Sequence, residues 1–190
     1  LPISVLQTGC RCRGPTSVAR RNVSCQTDRM NISSDAISRA VRSQYEEHPY
    51  PVWQDLLPIT PSNLEQDVLI AGCGTGLDVL SHAYAAPRSR FLGIDLSRAS
   101  LRHAEFKAAE FGISNVRLKQ HDILDVASLG ESFDVIKSIG VIHHMASPLA
   151  GLKALKSVMR PGGTIEFAVY SSAARGPVLA GPGFALDATD

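Results

Sequence analysis

Residues 68–80, VLIAGCGTGLDVL, are an apolar run that opens into three alternate glycines and then resumes. The four apolar or small residues before the first glycine read as a short buried strand, Val68–Ala71. The residues after the bend read as a helix over 75–86, stopped by Pro87. A strand, a glycine bend and a helix within thirteen residues constrain the fold strongly. The chain must leave a sheet and return along its face, which is the first half of a parallel β-α-β unit. Such a bend sets backbone amides at the carboxyl end of a strand, where open parallel sheets bind ligands. Gly72, Gly74 and Gly76 have the spacing G-x-G-x-G, one residue short of the dinucleotide fingerprint. Taken alone, they fit a tight strand-to-helix turn without a ligand equally well.

The alternation continues downstream. Arg90–Ile94, Val116–Lys119 and Phe133–Ser138 read as strands. Ser97 can cap a helix carrying Leu101, Ala104, Ala108 and Phe111, closed by Gly112. Ser147-Pro148 opens a further helix that runs to about Met159 with Leu152, Leu155 and Val158 facing inward. "RPGG" (160–163) then turns the chain into a fifth strand, Thr164–Tyr170. Upstream, residues 35–47 place Ile37, Val41 and Tyr45 on one helical face, and "HPYPVW" (48–53) is an extended aromatic connection. The expectation is an α/β fold with a doubly wound parallel sheet covered on both faces.

Composition bounds the rest. The 190 residues carry a net charge of +1, unevenly spread. Residues 1–32 hold Arg11, Arg13, Arg20, Arg21 and Arg29 against Asp28, so the remainder is mildly acidic. That balance argues against a nucleic-acid surface. Residues 1–32 lack a period and read as a poorly ordered basic segment, residues 33–170 as the folded core, and 171–190 as a tail. No apolar stretch reaches a membrane span and no signal-type apolar region opens the chain, so a cytoplasmic protein is expected. Cys10, Cys12 and Cys25 with Cys73 make a poor zinc set, so free thiols and no metal are expected.

The residues at the strand ends suggest a ligand. Asp95, at the end of the second strand in "FLGIDLS", can accept hydrogen bonds from two vicinal ribose hydroxyls, or can cap the next helix. Asp122, in "QHDILD" after the third strand, can meet an adenine amine or serve as a turn residue. No Lys or Arg follows the glycines, which points to a nucleoside derivative without pyrophosphate.

Residues 68 to about 170 resemble the core of class I S-adenosylmethionine-dependent methyltransferases. "AGCGTG", "GIDLS", "QHDILD", "FDVIKSIGVIHHM" and "LKSVMRPGGTIEF" stand in that family's order and spacing. "SQYEEHPYPVW" is similar to a segment that precedes this domain in bacterial methyltransferases. The resemblance implies a Rossmann-like sheet in strand order 3-2-1-4-5, with S-adenosylmethionine as cofactor. It implies that Gly72, Gly74 and Gly76, with Ala71 and Cys73 in the same loop, line the methionine half. Asp95 would hold the ribose, Leu96 would pack by the adenine, and Asp122 and Ile123 would meet its amine and ring. Ser138 and Ile139 would flank the sulfonium, and Tyr45 would cover the mouth. The family often has an acidic residue where this chain has Ile70, so the cofactor's ammonium would rely on backbone near Ala71 and Ser138, or on water.

Several roles stay open. His143 and His144 have the chemistry of a proton acceptor but can equally shape the loop after the fourth strand. Tyr45, Tyr50 and Trp53 can form a lid or pack the first helix onto the sheet. Asp134 is expected to support the base of the fourth strand, away from the ligand. The chain begins with Leu and leaves about 20 residues after the fifth strand, so it reads as a truncated domain without the family's sixth and seventh strands. A homodimer through the fifth-strand edge is then an expected partner contact. Three functions follow: methyl transfer to a small-molecule or protein acceptor, cofactor binding without turnover in an interaction module, and nucleotide-dependent oxidoreduction. The G-x-G-x-G spacing disfavours the last.

Overall fold

Every second residue of the strand β1 (Asp67–Ala71) goes to a different core. Leu69 and Ala71 join one apolar cluster, while Val68 and Ile70 join another. That period of two needs packing on both faces of the sheet. A computed structural model of the protein describes residues 34–169 and supplies it. The sheet has five parallel strands in order β3-β2-β1-β4-β5, the order implied by the resemblance. The others are β2 (Arg90–Asp95), β3 (Val116–Gln120), β4 (Phe133–Ile139) and β5 (Met159–Ala168).

Helices α2 (Leu77–Ala85) and α3 (Arg98–Glu110) cover one face with Val79, Leu80, Ala83, Leu101 and Ala108. Helix α4 (Pro148–Ser157) and the 3-10 segment Ile123–Leu129 cover the other with Leu155, Ile123 and Val126. Leu69, Ile94 and Ile136 are completely buried. Burial of each such side chain stabilises the fold by about 1.5–3 kcal/mol. The expected caps are present: Ser97 Oγ accepts from Ser100 N at 3.1 Å, and Ser147 Oγ accepts from Ala150 N with Pro148 in the first turn.

The boundaries differ most at the fifth strand. "RPGG" is not a turn ahead of a strand but a bulge inside one. Met159 pairs with Phe133 and Thr164 with Val135, so residues 160–163 loop out opposite Asp134. Gly163 is held close enough that a Cβ there would lie 2.9 Å from the Asp134 carbonyl oxygen. Helix α2 starts at Leu77 rather than residue 75, because Gly76 takes a left-handed conformation (φ 94°) at its cap and the loop needs that residue to turn.

At the amino ends of the strands, charge is fully paired. Asp67 binds Arg90 through both oxygens (2.6 and 2.8 Å) and Arg160 at 2.6 Å. Asp134 accepts from Asp67 N at 2.9 Å and from Arg160 at 2.7 Å, which is the supporting role expected of it. Among the described residues no helix is long and apolar enough to cross a membrane. The basic segment, its three cysteines and the C-terminal tail lie outside the described residues.

Candidate functional site

The carboxyl ends of the strands surround a cavity of about 440 Å³, large enough for a drug-sized ligand. Its floor is the glycine loop. Gly72, Cys73 and Gly74 line it, and the loop is tied to β2 by Gly74 N donating to Asp95 Oδ2 at 2.8 Å. Gly74 has φ 52°, and a Cβ there would lie 2.7 Å from the carbonyl oxygen of Tyr50. The aromatic connection therefore closes down on bare backbone, and a side chain at 74 would hold it off. Gly76 does not reach the cavity. It lets α2 approach α3, where a Cβ would lie 2.6 Å from that of Ala104.

Asp95 stands where β2 ends. Its Oδ1 accepts from Ser97 N at 2.9 Å and its Oδ2 from Gly74 N, with the Leu96 N–H a third backbone donor, which leaves part of the carboxylate's acceptor capacity unused. Burial pushes its carboxyl above the ordinary value, against the pull of those backbone hydrogen bonds. A desolvated carboxylate with spare acceptor capacity matches a diol that brings its own protons. Beside it, Leu96, Asp122 and Ile123 line the same side of the cavity. Asp122 has the turn role: its Oδ1 caps the 3-10 segment by accepting from Leu124 N at 2.9 Å, and the residue also lines the cavity.

At the end of β4 and just beyond it, Ile139, Gly140, Val141, His144 and Met145 form a second wall, with Ala168 and Val169 at the end of β5. Ser138 and Ala71 lie beneath this surface. Both are fully buried, neither lines the cavity, and Ser138 Oγ donates to the Ala71 carbonyl at 3.0 Å. His143 and His144 stack with ring centroids 4.0 Å apart, and of the two only His144 lines the cavity. Burial pushes the Cys73 thiol well up, which leaves it an inert neighbour of the loop.

The cover is helix α1 (Ser34–Glu47). Its stripe Ile37, Val41 and Tyr45 is not spent on the sheet core but faces the cavity. The helix end is stapled to α3: Glu46 accepts from Arg98 N and Ala99 N, both at 2.8 Å, and Ser97 Oγ donates to the Tyr45 carbonyl at 3.0 Å. The two backbone hydrogen bonds hold the Glu46 carboxyl below its usual range. The aromatic trio divides. Tyr45 and Tyr50 line the cavity, whereas Trp53 is buried against Phe111 and His103 and donates to Thr75 O at 3.2 Å. Trp53 thus anchors the connection and is no part of a lid.

Sequence reasoning passed over Asp78, which lines the cavity from the first turn of α2. An acidic residue there reads as an ordinary partner of the helix dipole, so no local signal separates the two roles. Among the described residues, no three His, Cys, Asp or Glu side chains gather to hold a metal ion.

Comparison with known proteins bears on this site. The family described as "Methyltransferase domain" matches residues 64–177. A ubiquinone biosynthesis O-methyltransferase of Parvibaculum lavamentivorans is 38% identical over 101 residues, 53% of this chain and 38% of that protein. An uncharacterised protein of a Synechococcus strain is 29% identical over 165 residues, 76% of this chain and 40% of that protein. The structure of PKMT2 from Rickettsia typhi in complex with AdoHcy is 30% identical with a TM-score of 0.51, covering 56% of this chain and 21% of that one. The chain therefore spans well under two thirds of these relatives.

Proposed function

This chain belongs to the methyltransferase-domain family, which uses S-adenosylmethionine, and on that premise we propose that it moves a methyl group onto a small, largely apolar acceptor. The observation that carries the reading is Asp95, desolvated at the end of β2, tied to the glycine loop and open toward the cavity. The residues present fit the cofactor: a bare-backbone floor at Gly72 and Gly74, a diol acceptor, and an apolar slot by Leu96 and Ile123.

When bound, S-adenosylmethionine supplies a methyl group on a positively charged sulfur, open to in-line displacement with a neutral leaving group. What remains for the chain is to bind, align and exclude water. Asp95 would take the ribose hydroxyls, Asp122 would accept from the adenine amine, and Leu96 and Ile123 would hold the ring. Helix α1 and Tyr50 shield the mouth. Ile37, Val41, Met145, Ala168 and Val169 leave an apolar wall for the acceptor, and His144 is the imidazole able to take a proton from it.

Titration calorimetry with S-adenosylhomocysteine and with NAD tests the cofactor, and binding of the first alone is expected. Radiolabelled methyl transfer into a cell extract, separated into small-molecule and protein fractions, tests the acceptor. Label in the small-molecule fraction supports the proposal. Label in protein makes the acceptor a protein, and tight binding without any transfer makes this a cofactor-binding module.

A further inference from the structure

Helix α3 begins without an acid of its own. Its first turn holds no Asp or Glu, although the amino end of a helix favours negative charge and leaves backbone N–H groups unpaired. Those groups are satisfied from three places. Ser97 N donates to Asp95 at 2.9 Å, and Ser100 N donates to Ser97 Oγ at 3.1 Å. The two between them, Arg98 N and Ala99 N, each donate at 2.8 Å to a separate oxygen of Glu46, far upstream on helix α1. One helix end is therefore shared between the proposed ribose acceptor and the cover helix.

Helix α1 is fastened at that point. Beside Glu46, the Tyr45 carbonyl accepts from Ser97 Oγ at 3.0 Å, so Ser97 touches both Asp95 and α1. Arg42 on α1 and Arg102 on α3 face the Glu46 carboxylate and favour its charge. Further back along the helix, Ile37 and Val41 are half-buried, join neither core cluster of the sheet and face the cavity. A helix tied at its carboxyl end, with its apolar stripe over a cavity, gains packing when a ligand fills that cavity. The gain requires the helix to stay down, and ordering it costs conformational entropy that the tie reduces. Whatever holds the helix down therefore strengthens ligand binding, and the ligand in turn holds the helix.

We propose that Glu46 is a positioning residue that locks helix α1 over a bound cofactor, and that it does so from the amino end of α3 that it shares with Asp95. Glu46 does not line the cavity, so its effect on a ligand passes through α1. The segment SQYEEHPYPVW then divides its work: Tyr45 covers, Glu46 locks, and Trp53 anchors the connection to Thr75.

Hydrogen–deuterium exchange on the full chain, with and without saturating S-adenosylhomocysteine, separates this role from the reading of the cavity on which it rests. In the wild type the ligand should slow exchange at least tenfold in two peptides, one spanning the glycine loop and one spanning α1. Glu46→Gln keeps the side-chain shape but gives up the charge and one of the two acceptors. In this variant protection of the loop should persist, which reports a folded and occupied pocket. Protection of α1 should fall to within threefold of the ligand-free rate, and S-adenosylhomocysteine should dissociate at least tenfold faster. Protection of α1 that survives in Glu46→Gln overturns the proposal, as does dissociation at the wild-type rate. So does a loss of protection in loop and helix alike, which would make Glu46 a support of the whole pocket. A wild type in which the loop responds to the ligand and α1 does not overturns it too. If neither responds, the cavity is not the S-adenosylmethionine site.

Discussion

Asp67 and Asp95 stand at opposite ends of two adjacent strands, and their surroundings are opposites. Asp67 meets two guanidinium groups, and the Arg90 hydrogen bonds hold its carboxyl down to about 2 despite partial burial. Asp95 meets no side-chain cation among the described residues. Its donors are the backbone N–H groups of Ser97, Gly74 and Leu96, and burial raises its carboxyl. A fully matched carboxylate serves the fold, since nothing further can approach it without breaking an ion pair. A carboxylate left with spare lone pairs and a desolvation cost is matched only when a ligand brings donors. The amino end of the sheet thus has its charge matched within the fold, while the carboxyl end holds the desolvated carboxylate of the proposed site, with the same residue type at both.

The sharpest way to break that contrast is Asp95→Ala. Loss of two hydrogen bonds to a charged acceptor, each worth about 1.5–3 kcal/mol, should lower S-adenosylhomocysteine affinity by about 100-fold or more in calorimetry. Affinity within threefold of wild type would remove Asp95 from the site. Gly74→Ala should act on the loop itself. The left-handed backbone and the approach of Tyr50 O predict a loss of about 1–3 kcal/mol in denaturant unfolding, together with weaker cofactor binding. Unchanged stability would mean the aromatic connection does not rest on the loop. Asp67→Asn is the counterpart at the structural end. It should cost about 1–2 kcal/mol of stability, a figure reduced because Arg90 is largely solvent-exposed, and leave cofactor affinity unaltered. A fall in affinity with full stability would reverse the assignment of the two ends.

The contrast also explains what could be read from the sequence. Strands such as VLIA and FLGI are buried on both faces, so their apolar runs state the sheet and its winding directly. Asp95 was legible because a strand end plus a fixed distance from the glycines gives its place without knowledge of any side-chain contact. The place of Asp78 at the cavity was not, since an acidic residue in a helix's first turn reads as a partner of the helix dipole. Ser138 and Ala71, which the resemblance implies at the cavity, lie one layer beneath it, because a matching motif locates a strand end but not which of its residues turn outward. The stripe of Ile37, Val41 and Tyr45 was visible as a helix face, while its target became clear only through the Glu46 staple. The "RPGG" stretch carries ordinary turn residues, and only the pairing of Met159 with Phe133 makes it a bulge.

The smallest effect is also the one that sets both ends against each other in a single titration. Asp67, held below its ordinary value of 3.8, contributes stability that is fully present above that value and lost as pH falls from 3.8 toward about 2. Asp95 is shifted the other way, so it takes up a proton above 3.8 and its contribution has the opposite sign. The folded state of the empty chain gains slightly as Asp95 protonates, while the ribose acceptor is lost. Lowering the pH should therefore weaken S-adenosylhomocysteine binding by a few-fold first, while the main fall of the unfolding midpoint comes below 3.8, where Asp67 takes up its proton, with a smaller loss from Glu46 that begins below its ordinary 4.5. Calorimetric affinity and denaturant midpoints measured on the same pH series check the order. If the two decline together, or the midpoint falls first, Asp95 is not the strained carboxylate at the reactive end.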